Sequence, residues 1–164
     1  MSRPASRIVR ARDLEGAWSY HRWCITYPDG RITEPFGAGA TGLLLYTADG
    51  HMGATIMAHG RKPLSAVNPR LAPDGERAAA FDSFFSYAGR WRLVRGRIEH
   101  RVTAALNPAL VGTSQWRDAL LDGRRLVLSV EEPAPGGIRR HELEWRRPAQ
   151  RRRATRAADR SGAR

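Results

Sequence analysis

The sequence predicts an all-β domain: a single antiparallel up-and-down β-barrel of about eight to nine strands, with one short helix and disordered basic tails. Three observations carry this prediction. Short runs of alternating apolar and polar residues follow one another, separated by Asp-Gly and Arg-Gly turn signals. Only one segment has the spacing of an amphipathic helix. The charge, large for the whole chain, nearly cancels over the part that carries the strand pattern.

The elements follow in order. Residues 18–27 alternate and end at Pro28-Asp29-Gly30, a turn tripeptide, and residues 31–36 return as the partner strand. Residues 42–47 and 51–57 flank Ala48-Asp49-Gly50. Residues 90–94 and 97–106 flank Arg95-Gly96, and residues 114–121 and 124–130 flank Asp122-Gly123. Residues 138–146 supply a last strand after a Pro- and Gly-containing loop. Between them, residues 73–88 place Ala78, Phe81, Phe84, Phe85 and Ala88 close to helical spacing, with Asp74 as N-cap. A helix of about three turns is expected there. With the loop 58–72 before it, the helix would form a lid or plug at one barrel mouth. Strands joined by consecutive hairpins expose two edges unless the sheet closes, and a barrel of about eight strands can hold one small ligand. A two-sheet sandwich fits less well, because it needs Greek-key crossings.

Composition limits the function classes. The net charge of +12 divides unevenly along the chain. Residues 1–12 hold Arg3, Arg7, Arg10 and Arg12 with no acid, and residues 146–164 hold eight Arg against Asp159. The intervening residues carry sixteen basic and fifteen acidic side chains. The division expected is therefore a basic N-terminal tail over 1–12, a barrel domain over 13–146 and an Arg-rich tail over 147–164. No aromatic residue is interleaved with the tail arginines to stack on bases, so nucleic acid is not the expected partner. No run of about 20 apolar residues is present to cross a membrane. No secretory signal is legible, and the single Cys24 allows no internal disulfide, so a cytoplasmic location is expected. A homodimer through an apolar barrel wall stays open, since no sequence feature demands it.

The residues so placed resemble the lipocalin-like domain family of calycin barrels. Leu14-Glu15-Gly16-Ala17-Trp18 resembles the family's opening L-x-G-x-W. Pro35-Phe36-Gly37, followed by Gly42 to Met52, resembles its PFG and G-x-L-x-Y-x-x-D-G-x-M hairpin. Tyr87-Ala88-Gly89-Arg90-Trp91 resembles Y-x-G-x-Y, with tryptophan in the last aromatic place. His100-Arg101-Val102, Asn107-Pro108 and Val111-Gly112-Thr113-Ser114-Gln115-Trp116-Arg117 resemble H-x-V and NP…VGT-x-Q-x-R. The resemblance spans residues 14–145 and implies the fold and a ligand cavity; related barrels in natural-product pathways catalyse cyclisations, isomerisations or dehydrations.

Among candidate residues, His100 shares its strand face with Val102, Ala104 and Leu106 and is expected to point inward as a general acid or base. The alternative is a structural histidine bonded to Arg117 or Tyr87. Tyr46 and His51 are second catalytic choices. Arg117 alternates with Ala119 and Leu121 and needs an acceptor there: Glu99, Glu144, a backbone carbonyl, or an oxygen of the ligand. In barrels of this kind an arginine near a tryptophan often plugs the closed end, and Trp18 is available to meet Arg117 in that role. Tyr87, Trp91, Trp116, Trp18 and Phe85 complete the expected ligand-binding set. The histidines show neither HxH nor HxxxH spacing, and no Gly-rich phosphate loop occurs, so neither metal nor cofactor is expected. The expected function is binding of a small hydrophobic metabolite, with cofactor-independent cyclase, isomerase or dehydratase chemistry. The alternative is a non-catalytic carrier or sensor.

Overall fold

The computed structural model describes residues 9–148. Its nine strands are β1 Gly16–Thr26, β2 Ile32–Thr33, β3 Thr41–Tyr46, β4 His51–Met57, β5 Phe84–Val94, β6 Arg97–Ala105, β7 Ser114–Asp122, β8 Arg125–Ala134 and β9 Gly137–Arg146. Two helices, α1 Ala11–Leu14 and α2 Asp74–Asp82, accompany them. All strand pairs are antiparallel and follow the chain from β3 to β9. β1 closes the circle: Gly16 to Ser19 pair with β3, and Ser19 to Thr26 pair with β9. Eight strands thus form a closed barrel without free edges.

β2 is a two-residue rung on β1, not the full return strand expected over 31–36. Pro35 has no N–H to donate, and the Gly37 N–H turns back to the Glu34 carbonyl at 3.0 Å. The remaining hairpins stand where their Asp-Gly and Arg-Gly turns put them. Gly50 adopts φ +84°, a conformation closed to most L-residues, and Arg95-Gly96 turns with both residues at positive φ.

The expected helix is shorter than its stripe. It ends at Asp82, and Ser83 donates its Oγ–H to the Ala79 carbonyl at 2.6 Å. Phe84, Phe85 and Ala88 belong to β5, paired with Met57, Ile56 and Gly53. Sheet pairing of aromatic residues overrides the helical spacing. Pro73, not Asp74, occupies the N-cap. Asp74 and Glu76 lie in the first turn, where carboxylates complement the helix dipole. Arg61 bonds Ser83 Oγ and the Ala80 carbonyl, both at 3.0 Å, and Glu76 accepts from the Ser65 backbone at 2.8 Å. These bonds tie the long loop between β4 and β5 to α2. No α2 residue is buried, but Phe81 and Phe84 line a rim groove that shares Trp23 and Phe85 with the interior cavity.

Inward side chains alternate along each strand, as Met52, Ala54 and Ile56 do on β4. Ile56, Ile98 and Leu126 are fully buried, each worth about 1.5–3 kcal/mol of transfer free energy. Two bulges shift this parity. On β6 the register passes from Ala88↔Ala104 to Gly89↔Val102, leaving Thr103 extra. Ala104 is therefore exposed and Ala105 turns inward, which corrects the expected His100–Val102–Ala104–Leu106 face beyond Val102. The bulge needs Gly89: a Cβ there would lie 2.0 Å from the Arg101 carbonyl oxygen. On β1 a bulge at His21 moves the inward set from Trp18 and Tyr20 to Trp23 and Ile25.

The end opposite α2 is plugged. Leu14 and Trp18 are fully buried, and the Trp18 indole N–H donates to the Leu14 carbonyl at 2.7 Å. The Arg147 guanidinium lies 4.2 Å from the Trp18 ring centroid and donates to the carbonyls of Glu15 and Asp13 at 2.8 and 2.6 Å. The arginine beside Trp18 is Arg147 rather than Arg117, which lines the cavity instead. Val9 and Arg147, assigned to the tails by charge, pack at this end, and α1, which begins at Ala11 within the expected N-terminal tail, brings Leu14 of the barrel domain into the plug. The rest of the expected tails, residues 1–8 and 149–164, lies outside the described residues. Among the described residues no helix is long and apolar enough to cross a membrane.

Candidate functional site

The barrel interior holds a cavity of about 380 Å3, at the small end of ligand pockets. Leu44, Ala54, Leu128 and Leu143 supply its apolar wall. β5 and β6 bring Tyr87 and His100 to one side, β7 brings Arg117, and β8 and β9 bring Glu132, Arg139, His141 and Trp145.

His100 is 1% exposed and held at both ring nitrogens. The Tyr46 hydroxyl lies 2.6 Å from Nε2, and the Tyr87 hydroxyl lies 2.7 Å from Nδ1. Burial pushes the His100 pKa down to about 3, with the nearby Arg117 charge acting in the same direction, so the ring is neutral at pH 7. A neutral imidazole has one N–H and one acceptor nitrogen. Tyr46 is fully buried and has His100 as its sole hydroxyl partner among the described residues. Its O–H must donate to Nε2, because an unmade buried hydrogen bond costs about 1–3 kcal/mol. Nδ1–H then donates to the Tyr87 oxygen. This leaves the Tyr87 proton directed at the cavity, which that residue lines. Burial raises both phenol pKa values, so neither tyrosine ionises near neutrality.

Arg117 shares the inward face with Ala119 and Leu121, as expected. Its Nη1 donates to the Trp116 carbonyl at 2.8 Å. The two expected carboxylates are engaged elsewhere: Glu99 by Arg92 and Ser114, and Glu144 by Arg125 and Arg146. Among the described residues no carboxylate stands within 4.0 Å of the Arg117 guanidinium. Its charge acts on Tyr87 and His100 on one side and on Glu132 and His141 on the other.

The β8–β9 side of the wall is a second polar region. Glu132 accepts from Arg139 Nε and Nη2 at 3.2 and 2.8 Å, and this pairing holds its carboxyl below the usual range. His141 Nδ1 accepts from the Trp23 indole N–H at 3.3 Å, and burial lowers the His141 pKa. Among the described residues, two buried side-chain polar atoms lack a hydrogen-bond partner, His141 Nε2 and Trp145 Nε1. Both residues line the cavity.

The expected site residues separate into three groups. His100, Tyr87, Arg117 and Phe85 line the cavity, with Tyr46 directly behind His100. Trp91 and Trp18 are core rather than lining: Trp91 packs 4.5 Å from Tyr46 and donates to the Thr47 carbonyl, and Trp18 sits in the plug. His51 and Trp116 point outward. His51 pairs with Asp49 at 3.1 Å and Arg90 at 2.8 Å on an exposed hairpin, and Trp116 lies under Arg97 beside Glu99. His51 is therefore removed from the catalytic choices, and Trp116 from the ligand-binding set.

His141, Trp145 and Trp23 were not among the expected residues. Alternation over 141, 143 and 145 carries the signal for the first two. Trp23 is hidden by the β1 bulge, which reverses its apparent face.

A closed eight-stranded antiparallel barrel, plugged at one end and hollow at the other, defines a class of barrels with an interior ligand cavity. A family model described as a lipocalin-like domain matches residues 15–148, and the chain belongs to that family. No curated protein and no solved structure matches it. The family's barrel supports binding of a ligand in general.

Proposed function

We propose that the barrel takes up a small, largely apolar metabolite and promotes its cyclisation, isomerisation or dehydration without a cofactor. One observation carries this reading: the Tyr46–His100–Tyr87 chain ends in a hydroxyl donor on the cavity wall. A carbonyl oxygen placed against Tyr87 would receive a hydrogen bond from a group whose own oxygen already accepts one. Charge developing on that oxygen, as an enol or enolate forms, would be stabilised in a water-poor site. The apolar wall would hold the reactive conformer, which can supply much of the rate.

A carrier or sensor role is the second reading. It is favoured by His100 having both nitrogens engaged and its ring held neutral, which leaves that histidine no free base. Native mass spectrometry of the full chain purified from its own cells identifies any retained molecule. Incubation of that molecule with fresh protein, followed by chromatography and fragmentation, then separates the readings. Conversion that Tyr87→Phe slows by about a hundredfold is expected for the enzyme. Recovery of the molecule unchanged sinks that reading and leaves the carrier.

A further inference from the structure

The cavity wall has more hydrogen-bond donors than acceptors to meet them. His141 Nδ1 accepts from Trp23, whose indole can only donate, so the proton of the neutral ring is on Nε2. That N–H and the Trp145 N–H are the two buried side-chain polar groups without a partner among the described residues. The Tyr87 hydroxyl is a third donor, since its oxygen already accepts from His100 Nδ1–H. Arg117 adds a partly buried cation with one backbone carbonyl as its partner. Acceptors on the same wall are few. Glu132 accepts from Arg139 through Oε2, and that oxygen stands 3.5 Å from His141 Nε2, beyond a good hydrogen bond. The Asn107 carbonyl oxygen caps the turn at Ala109, which leaves Glu132 Oε1 and the Gln115 carbonyl oxygen.

The charges agree with the donors. Arg117 and Arg139 against Glu132 leave the cavity lining with one uncompensated positive charge. An uncharged ligand would cover this cation without neutralising it, and a buried charge without a partner is costly. A phosphate ester would bring more negative charge than the lining balances.

We infer that the ligand is a small apolar monocarboxylic acid bound as its anion, the carboxylate facing Arg117, the lining cation that no carboxylate of the described residues meets. The inference rests on the reading that the cavity takes a small apolar molecule, and it adds the charged group by which that molecule is held. The acid would be the anchoring end and the oxygen at Tyr87 the polarised one, so the ligand has two oxygen functions.

Isothermal titration of the full chain with matched pairs tests this: decanoate against decanol, and 4-phenylbutyrate against 4-phenylbutan-1-ol. Each acid should bind at least about tenfold more tightly than its alcohol, the scale of a charge-assisted pair. Arg117→Gln should bring the acids down to the alcohols, and Arg117→Lys should retain part of the preference. Unchanged alcohol affinity in each variant reports an intact cavity. If acid and alcohol bind the wild type equally, the carboxylate inference is overturned while the apolar cavity reading stands. A preference for acid that survives Arg117→Gln also overturns it. Absence of binding by all four probes overturns both.

Discussion

Tyr46 and Tyr87 grip His100 from opposite ring nitrogens, at 2.6 and 2.7 Å, so that one buried imidazole joins a core hydroxyl to a cavity hydroxyl. The two tyrosines are not equivalent. Tyr46 has no other partner among the described residues, whereas Tyr87 faces open space. Tyr46→Phe should cost about 1–3 kcal/mol, because it strands His100 Nε2 in the core. Tyr87→Phe should cost less in stability, since the cavity can admit water to Nδ1. Urea unfolding of both variants checks the order; equal losses would contradict the proton direction assigned here.

Stability should fall on mild acidification through the same histidine. The folded pKa of His100 is about 3, below the ordinary 6.5 of an exposed imidazole. Between those values the unfolded chain binds the proton that the folded chain refuses, so the unfolding free energy rises with pH across this window and is lost as pH falls through it. One such group contributes a slope of up to about 1.4 kcal/mol per pH unit. His141, also depressed by burial, adds in the same direction. Unfolding between pH 7 and 5 isolates the histidines from the carboxylates. His100→Phe should flatten the curve even where it lowers stability throughout.

The β6 bulge makes Gly89 the most intolerant glycine of the barrel wall. A Cβ 2.0 Å from the Arg101 oxygen and 3.0 Å from the Thr103 nitrogen has only backbone to displace. Gly89→Ala should destabilise by about 2–4 kcal/mol, in the range of severe backbone and overpacking defects. Gly53→Ala, with open space around its Cβ position, is the matched control. A thermal shift similar for both would contradict the close approach.

Arg147 closes the plugged end through two carbonyls and the Trp18 ring. Arg147→Ala should cost about 1–3 kcal/mol, since two hydrogen bonds to a charged donor and a cation–π contact are lost together. Arg124→Ala, which loses one exposed bond to the Arg147 carbonyl, should cost little. Denaturant midpoints of the two variants decide this.

Filling the cavity should separate binding from folding. Ala54 is buried on β4 and lines the cavity. Ala54→Phe directs a ring into that space, and the barrel should remain folded by circular dichroism while amphiphile binding drops by at least about tenfold. Full retention of binding would place the ligand elsewhere.

Much of the barrel is determined by the sequence alone. Alternating runs and Asp-Gly turns are local signals, written in neighbouring residues, and they specified the strands and their order, apart from the length of β2 and the early start of β5. The inward face of Arg117 and the burial of His100 were likewise legible, because simple alternation holds on β7 and on β6 as far as Val102. Tertiary structure decided the rest. Two bulges reversed the facing of Trp23 and Ala104, since one extra residue turns every later side chain over. Barrel closure chose Arg147 to meet Trp18 across more than a hundred residues, and it set Trp23 against His141. Closure also paired Tyr46 and Tyr87 through one ring. The polarity of the cavity therefore comes from strand register around a closed sheet, which no local pattern encodes.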